Sequence, residues 1–179
     1  MKKLLFASLT AVSFSASAAN YASIDVENVK GLGGGANSVA QYVRFGTEVG
    51  GLQLGLQDRT ARFDRGAGLL NSLELTAGKK VGMITPFVGV GHDNGFNGVS
   101  PYNYGLVGAT AGYGVGPGFL LTGIKTRVGS NEKVDTKQTV TFATYSIPVT
   151  KAISINLNAS KSYQTIKENA FGVGVGFSF

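Results

Sequence analysis

Between residues 152 and 163 the chain alternates without a break, Ile153, Ile155, Leu157 and Ala159 on one parity and Ser154, Asn156, Asn158 and Ser160 on the other. A period of two predicts a strand with two unlike faces. The same period opens at Asn20, where Ile24 and Val26 alternate with Ser23, Asp25 and Glu27. Val39, Val43, Phe45 and Val49 then oppose Tyr42, Arg44 and Glu48, and after Gly50-Gly51, a two-residue hairpin signal, Leu52, Leu54 and Leu56 oppose Gln53, Gly55 and Gln57. The unit recurs: 69–78 turns near Gly78-Lys79-Lys80 into 81–92, 104–115 turns at Gly116-Pro117-Gly118 into 119–128, and a segment from about 138 passes through Pro148 to Lys151 into 152–163. A last strand begins near Asn169. One opening strand, four hairpins and one closing strand make ten, with eight as the alternative if one pair is loop.

The connections fall into two classes. Those at Gly50, Gly78 to Lys80, Gly116 to Gly118 and Val149 to Lys151 are tight, whereas residues 31–37, 62–68, 92–103, 129–137 and 163–168 are longer and polar or glycine-rich. Regular sorting of short and long connections implies that the two ends of the strands face different environments. A soluble barrel puts its apolar rows inside, and a transmembrane barrel reverses them, so the pattern alone fits both. Charge separates the two. Lys161 and Asp58 share parity with apolar rows, but toward the long-loop ends, and the middles of those rows read as free of charge. Ionised groups are tolerated at a membrane interface and cost about 2–4 kcal/mol at the midplane for Arg or Lys. The expectation is an all-β, closed, antiparallel, up-and-down transmembrane barrel. Closure is required because an open edge in hydrocarbon leaves backbone N–H and C=O groups without partners.

The first nineteen residues agree with that destination. Lys2 and Lys3 precede an apolar run from Leu4 through Phe14, which ends in Ala16-Ser17-Ala18-Ala19, the pattern of a cleaved secretory signal peptide. The run is shorter than the roughly 20 apolar residues of a membrane-spanning helix. The domain reading is therefore 1–19 signal peptide and 20–179 barrel. Removing Lys2 and Lys3 leaves 14 of 16 basic residues against 10 acidic ones, a formal charge of +4, too modest to argue for a nucleic-acid partner. With no cysteine, neither a disulfide framework nor a lipid-modified cysteine is available. Glycine is the outlier, 27 of 179 residues or about twice the usual ~7%. Many glycines alternate with Val, Leu and Phe, unlike those of a disordered chain.

With its leader "MKKLLFASLTAVSFSASA", its hairpin pattern and its final "GVGVGFSF", the chain resembles the small outer-membrane β-barrel proteins of Gram-negative bacteria. The resemblance implies an integral outer-membrane location, a porin-like or membrane-structural role and contact with outer-membrane lipid and lipopolysaccharide. It also implies recognition by the barrel-assembly machinery through the last strand, where Gly174, Phe177 and Phe179 match the family's signal and Gly172 stands where a polar residue is commoner. The best-known small members have eight strands, so their loop functions do not carry over by position.

The inward parity holds Asp25, Glu27, Tyr42, Arg44, Glu48, Gln57, Glu74, Lys125, Arg127, Asn156 and Asn158. Both signs are present. Either the charges pair into a plug, as buried charges must, or inward glycines at 108, 112, 123, 172, 174 and 176 widen a narrow wet passage beside them. Eight-stranded barrels are just filled by side chains and 16-stranded ones hold channels, so ten strands lie near the filled end. The expected function is non-enzymatic: a narrow polar lumen, with Arg44, Glu48, Glu74, Lys125 and Arg127 setting its polarity, in a monomeric barrel. The alternative is a surface protein, adhesin-like or lipopolysaccharide-binding, that acts through its loops.

Other candidates carry less. His92 beside Asp93, with Ser100 near in sequence, contains the residue types of a general base and a nucleophile, but neighbours on a strand face opposite sides. Asp93, Asn94 and Asn97 offer oxygens without a defined calcium-loop spacing, and the glycines of "GLGGGAN" do not open a helix as a nucleotide site would. No cofactor or metal is therefore expected. Lys30, Arg62, Arg65, Lys133, Lys137, Lys161 and Lys167 lie in or beside the long connections, where Lys and Arg suit the phosphates of lipopolysaccharide.

Overall fold

A computed structural model of the protein describes residues 20–32, 37–64, 69–95, 100–129, 137–164 and 167–179. Residues 1–19, read from the sequence as a signal peptide, lie outside the described residues. Ten strands follow one another: β1 (Asn20–Gly31), β2 (Ser38–Val49), β3 (Leu52–Phe63), β4 (Leu69–Lys79), β5 (Ile84–Asp93), β6 (Tyr102–Val115), β7 (Gly118–Gly129), β8 (Gln138–Pro148), β9 (Ile153–Gln164) and β10 (Glu168–Ser178). Each pairs antiparallel with the next, and β10 returns to pair with β1 in register from Tyr21↔Ser178 to Gly31↔Glu168. This is a closed ten-stranded up-and-down barrel, and the eight-stranded alternative falls away.

The alternation dictates the two surfaces. Along β9, Asn156 and Asn158 are buried while Ile155 and Leu157 are exposed. Along β10, Phe171 and Val173 are 69% and 60% exposed, whereas Ala170 is buried. Apolar rows outside and polar rows inside are the inverse of a water-soluble barrel, and such an exterior is matched to hydrocarbon. In β5 and β8, where apolar residues occupy both parities, register settles the direction: Phe87 and Phe142 point inward with Thr85 and Thr144, and Val88, Val90 and Tyr145 point outward.

Left-handed glycines shape the short turns. Gly50 and Gly51 have φ of 61° and 79°, Gly82 has 63° and Gly116 has 55°, conformations that suit two-residue hairpins. One turn differs from expectation. Strand β4 runs on through Gly78 to Lys79, and the reversal comes at residues 80–83, closed by a bridge between Val81 and Ile84. Gly82 supplies the positive φ, whereas Gly78 is an in-strand glycine: a Cβ there would stand 2.8 Å from the Pro86 carbonyl oxygen.

The outward rows contain one more departure. Asp58 is the seventh of twelve residues in β3, between outward Val43 and Leu73 on the flanking strands. The middle of that row is not free of charge, because the apolar stretch of β3 ends after Leu56. Lys161, by contrast, lies at the long-loop end of β9 as expected.

Candidate functional site: the charged lumen

On β1, Asp25 and Glu27 point inward, and both reach Arg44 of β2, at 3.4 Å and 3.9 Å. Arg44 Nε donates to Gln57 of β3 at 2.8 Å, and Gln57 Nε2 donates to Glu74 of β4 at 3.4 Å. From Glu74 the network leaves the wall. Lys125 Nζ on β7 donates to Oε2 at 2.6 Å, Arg127 of the same strand pairs with Oε1, and the Tyr104 hydroxyl of β6 donates to Oε1 at 3.0 Å. Arg127 then donates to Gln138 of β8 at 3.2 Å. The Glu74 carboxylate, 2% exposed, is thus held between two cations by short charge-assisted bonds.

Strands β4 and β7 are separated by β5 and β6, so this ion pair is a chord across the lumen rather than a rung between neighbours. The inward positions between are Gly89 and Gly91 on β5 and Tyr104, Leu106 and Gly108 on β6; the Tyr104 ring lies over Gly91 and the Leu106 side chain over Gly89, and the Tyr104 hydroxyl joins the pair at Glu74. A second chord lies on another side of the barrel. Arg59 of β3 reaches Glu168 of β10 at 4.0 Å past an apolar cluster of Val29, Ala40, Ala61 and Ala170, with Tyr42, Phe63 and Leu70 packed against it. The Arg44 and Arg59 guanidiniums lie 4.8 Å and 5.8 Å from the Tyr42 ring centroid, a favourable cation–π geometry. On the remaining side Asn156 Nδ2 donates to the Tyr21 hydroxyl at 3.3 Å, past β10, while Ser146 and Thr144 donate to Asn156 and Asn158 at 2.8 Å each.

Toward the short turns a different closure takes over. Inward rings of Phe87, Phe119 and Phe142 sit over Gly108, Gly112 and Gly123 of the adjoining strands, where an added Cβ would collide with each ring. This corrects the reading of the inward glycines as a widening of the passage. Gly108, Gly112 and Gly123 are seats for rings, Gly172 and Gly174 are covered by Glu27 and Asp25, and Gly176 faces Ser154 and Tyr21. What remains inside is a cavity of about 140 Å³, bordered by Arg44, Gln57, Glu74, Lys125 and Arg127. Among the described residues, Gln53 Oε1, Arg59 Nε and Arg127 Nε of this lining are buried without a protein partner, so the space suits a handful of waters rather than apolar contents.

Of the sequence-predicted lining residues, Tyr42, Arg44, Gln57, Glu74, Lys125, Arg127 and Asn158 border the cavity, and Asn156 is fully buried beside it. Glu48 has the inward parity but is exposed, opposite Gln53 next to the Gly50 turn, and stands apart from the Glu74 network. Arg59, Tyr104, Gln138 and Glu168 belong to the network as well, although the sequence pattern does not single them out. Parity carries a signal for the first two, since Arg59 follows inward Gln57 by two and Tyr104 precedes inward Gly108 by four. In the last strand Gly174 faces Asp25, while Phe177 and Phe179 lie outward at the short-turn end.

His92 and Asp93 separate as strand geometry requires. His92 is exposed and its Nδ1 lies 2.8 Å from Asn103 Oδ1, whereas Asp93 is buried and accepts from Gly95 N at 2.9 Å. Asp93 therefore does not orient His92. No cluster of three or more metal-ligating side chains occurs among the described residues, and Asn97, Arg65 and Lys133 lie outside them.

The closed barrel with an apolar exterior finds counterparts among solved structures. The translocator domain of the autotransporter NalP from Neisseria meningitidis aligns with a TM-score of 0.55 at 12% identity, over 89% of this chain and 88% of that one. The chain folds as an outer-membrane β-barrel. The β domain of the Bordetella autotransporter BrkA gives a TM-score of 0.53 at 10% identity, covering 91% of this chain and all of that one. At such identities the likeness is one of fold. No protein-family model and no curated protein matches the sequence.

Proposed function

We propose that this protein is a monomeric, integral, membrane-structural barrel of the bacterial outer membrane, whose lumen passes no more than water-sized species. The observation that carries the reading is the chord from Glu74 to Lys125 and Arg127, which crosses one side of the lumen between strands three apart and continues through Gln57 and Arg44 to Asp25 and Glu27. The ring-on-glycine layer and the small remaining cavity support it. Both signs of charge are paired across the same space, so the lumen offers no uncompensated field to draw one class of ion through.

Planar-bilayer recording tests this directly. The refolded wild-type barrel is expected to give no porin-sized conductance steps. Glu74→Ala, which cuts the chord and leaves Lys125 and Arg127 side by side without their counterion, is expected to introduce steps, and Arg44→Glu to alter their ion preference. Large ohmic steps from the wild type, unchanged in Glu74→Ala, would overturn the reading.

A further inference from the structure

The outer surface is not uniform around the barrel. At the long-loop end of the seam between β9, β10 and β1, register places Lys161 opposite Asn169, and Asn169 opposite Lys30. All three have outward parity, and both lysines are exposed. Across two strand spacings the lysine backbones stand roughly 10 Å apart, a gap that two lysine side chains can close around one anion. The Lys161 ammonium lies 5.3 Å from the Tyr163 ring centroid on the same face. Among the described residues neither lysine is in an ion pair, and no outward position of β8, β9, β10 or β1 carries a carboxylate. Glu168, adjacent in sequence, is turned inward onto Arg59.

Directly below this pair runs the longest apolar column on β10: Phe171, Val173, Val175, Phe177 and Phe179, all exposed, beside Ile153, Ile155 and Leu157 of β9. Two ammonium groups above a tall apolar column form a surface with the polarity of an amphiphile: an anionic head at the rim and acyl chains along the wall. The β3 face lacks this order, since Asp58 interrupts its column and accompanies the exposed Arg62.

We propose that Lys30 and Lys161, with Asn169 between them, form a site for the phosphomonoester head of an outer-leaflet glycolipid, lipopolysaccharide in this membrane, whose acyl chains lie along the β9–β10 wall. The inference rests on the outer-membrane placement proposed above, but not on whether the lumen conducts. An ammonium pair with no acid partner on its own face repels itself, and a phosphate between the two removes that repulsion while accepting a bond from each. Asn169 contributes an amide donor at the centre.

The test uses the full refolded barrel in phosphatidylcholine vesicles carrying bisphosphorylated lipid A, its dephosphorylated form, or phosphatidylglycerol, with bound lipid measured by native mass spectrometry. Wild type is expected to retain the bisphosphorylated lipid over both others. Lys30→Gln with Lys161→Gln should weaken that binding about 30-fold, the expectation for losing two basic residues at an anionic lipid surface. Arg62→Gln, an exposed cation elsewhere on the rim, should leave it unchanged. Equal retention of phosphatidylglycerol or the dephosphorylated lipid, wild-type binding by the double variant, or an equal loss in Arg62→Gln would each overturn the site. Protease protection in the same vesicles reads insertion separately. A wild-type chain that fails to insert overturns the membrane placement and the site with it, whereas protected chains with unselective binding overturn the site alone.

Discussion

The lumen is closed in two different ways at two heights, and the contrast shows what each kind of closure demands of the sequence. Along β7, Phe119, Leu121 and Gly123 come before Lys125 and Arg127, so the ring layer lies nearer the short turns and the ionic chord above it. In the ring layer, contacts are between adjacent strands: Phe142 with Gly123 and Phe87 with Gly108 directly opposite, and Phe119 with Gly112 two residues removed in register. The chord instead joins strands three apart, with the Tyr104 ring lying over Gly91 between them and its hydroxyl bonded to Glu74. Rings on glycine exclude water by shape. Ion pairs exclude solutes by bridging the space between strands, yet remain wet, since buried polar atoms beside them need water.

The two closures should fail differently. Glu74→Ala is expected to have the largest effect, a loss of about 3 kcal/mol, because it strands two cations in a partly desolvated space. Urea-driven unfolding from lipid vesicles measures it. Replacing the chord as a whole, Glu74→Gln with Lys125→Met and Arg127→Met, should recover most of that loss, since a fully neutral substitute leaves no unpaired charge. If the triple variant is as unstable as the single one, the chord is not an electrostatic unit. Phe142→Ala comes next, at about 2 kcal/mol, below the usual cost of emptying a dry core because water can enter the space. It should leave the conductance of the wild type unaltered while the chord above persists. The smallest effect belongs to Arg59→Met, about 1 kcal/mol, since the 4.0 Å pair with Glu168 is long and the methionine keeps the packing against Tyr42.

The same contrast separates what the residues disclose by themselves from what only their assembly reveals. Period two puts Ile155 and Asn156 on opposite faces because alternation is a local property of a strand, and the placement of charges in the rows then says which face is outside. The ring seats are half legible: Gly108, Gly112 and Gly123 stand on the inward parity, but a glycine looks the same whether it leaves space or receives a neighbour's ring. The chord is legible only as an inventory of charges. Whether Glu74 meets Lys125 depends on barrel diameter and on how Tyr104 and Leu106 of β6 pack over Gly91 and Gly89 of β5, none of which a local period encodes. Charged stretches mislead in both directions. Arg59 keeps the inward parity of Gln57 but stands beyond Leu56, where the apolar alternation of β3 ends, while Glu48, also of inward parity, lies too close to the turn to enter the lumen. At Gly78-Lys79-Lys80 the chain runs past the expected turn, because the strand needs Gly78 for close approach to β5 and Gly82 is free to adopt positive φ.

All of this depends on which surface meets hydrocarbon, and the absence of cysteine from the sequence makes that measurable without background labelling. Nitroxides attached to single cysteines at 155, 157, 160 and 162 of the vesicle-inserted barrel would report collision with lipid-soluble oxygen. The account predicts high oxygen collision at 155 and 157 and low collision at 160 and 162. Equal collision at all four positions, or the opposite ranking, would contradict it.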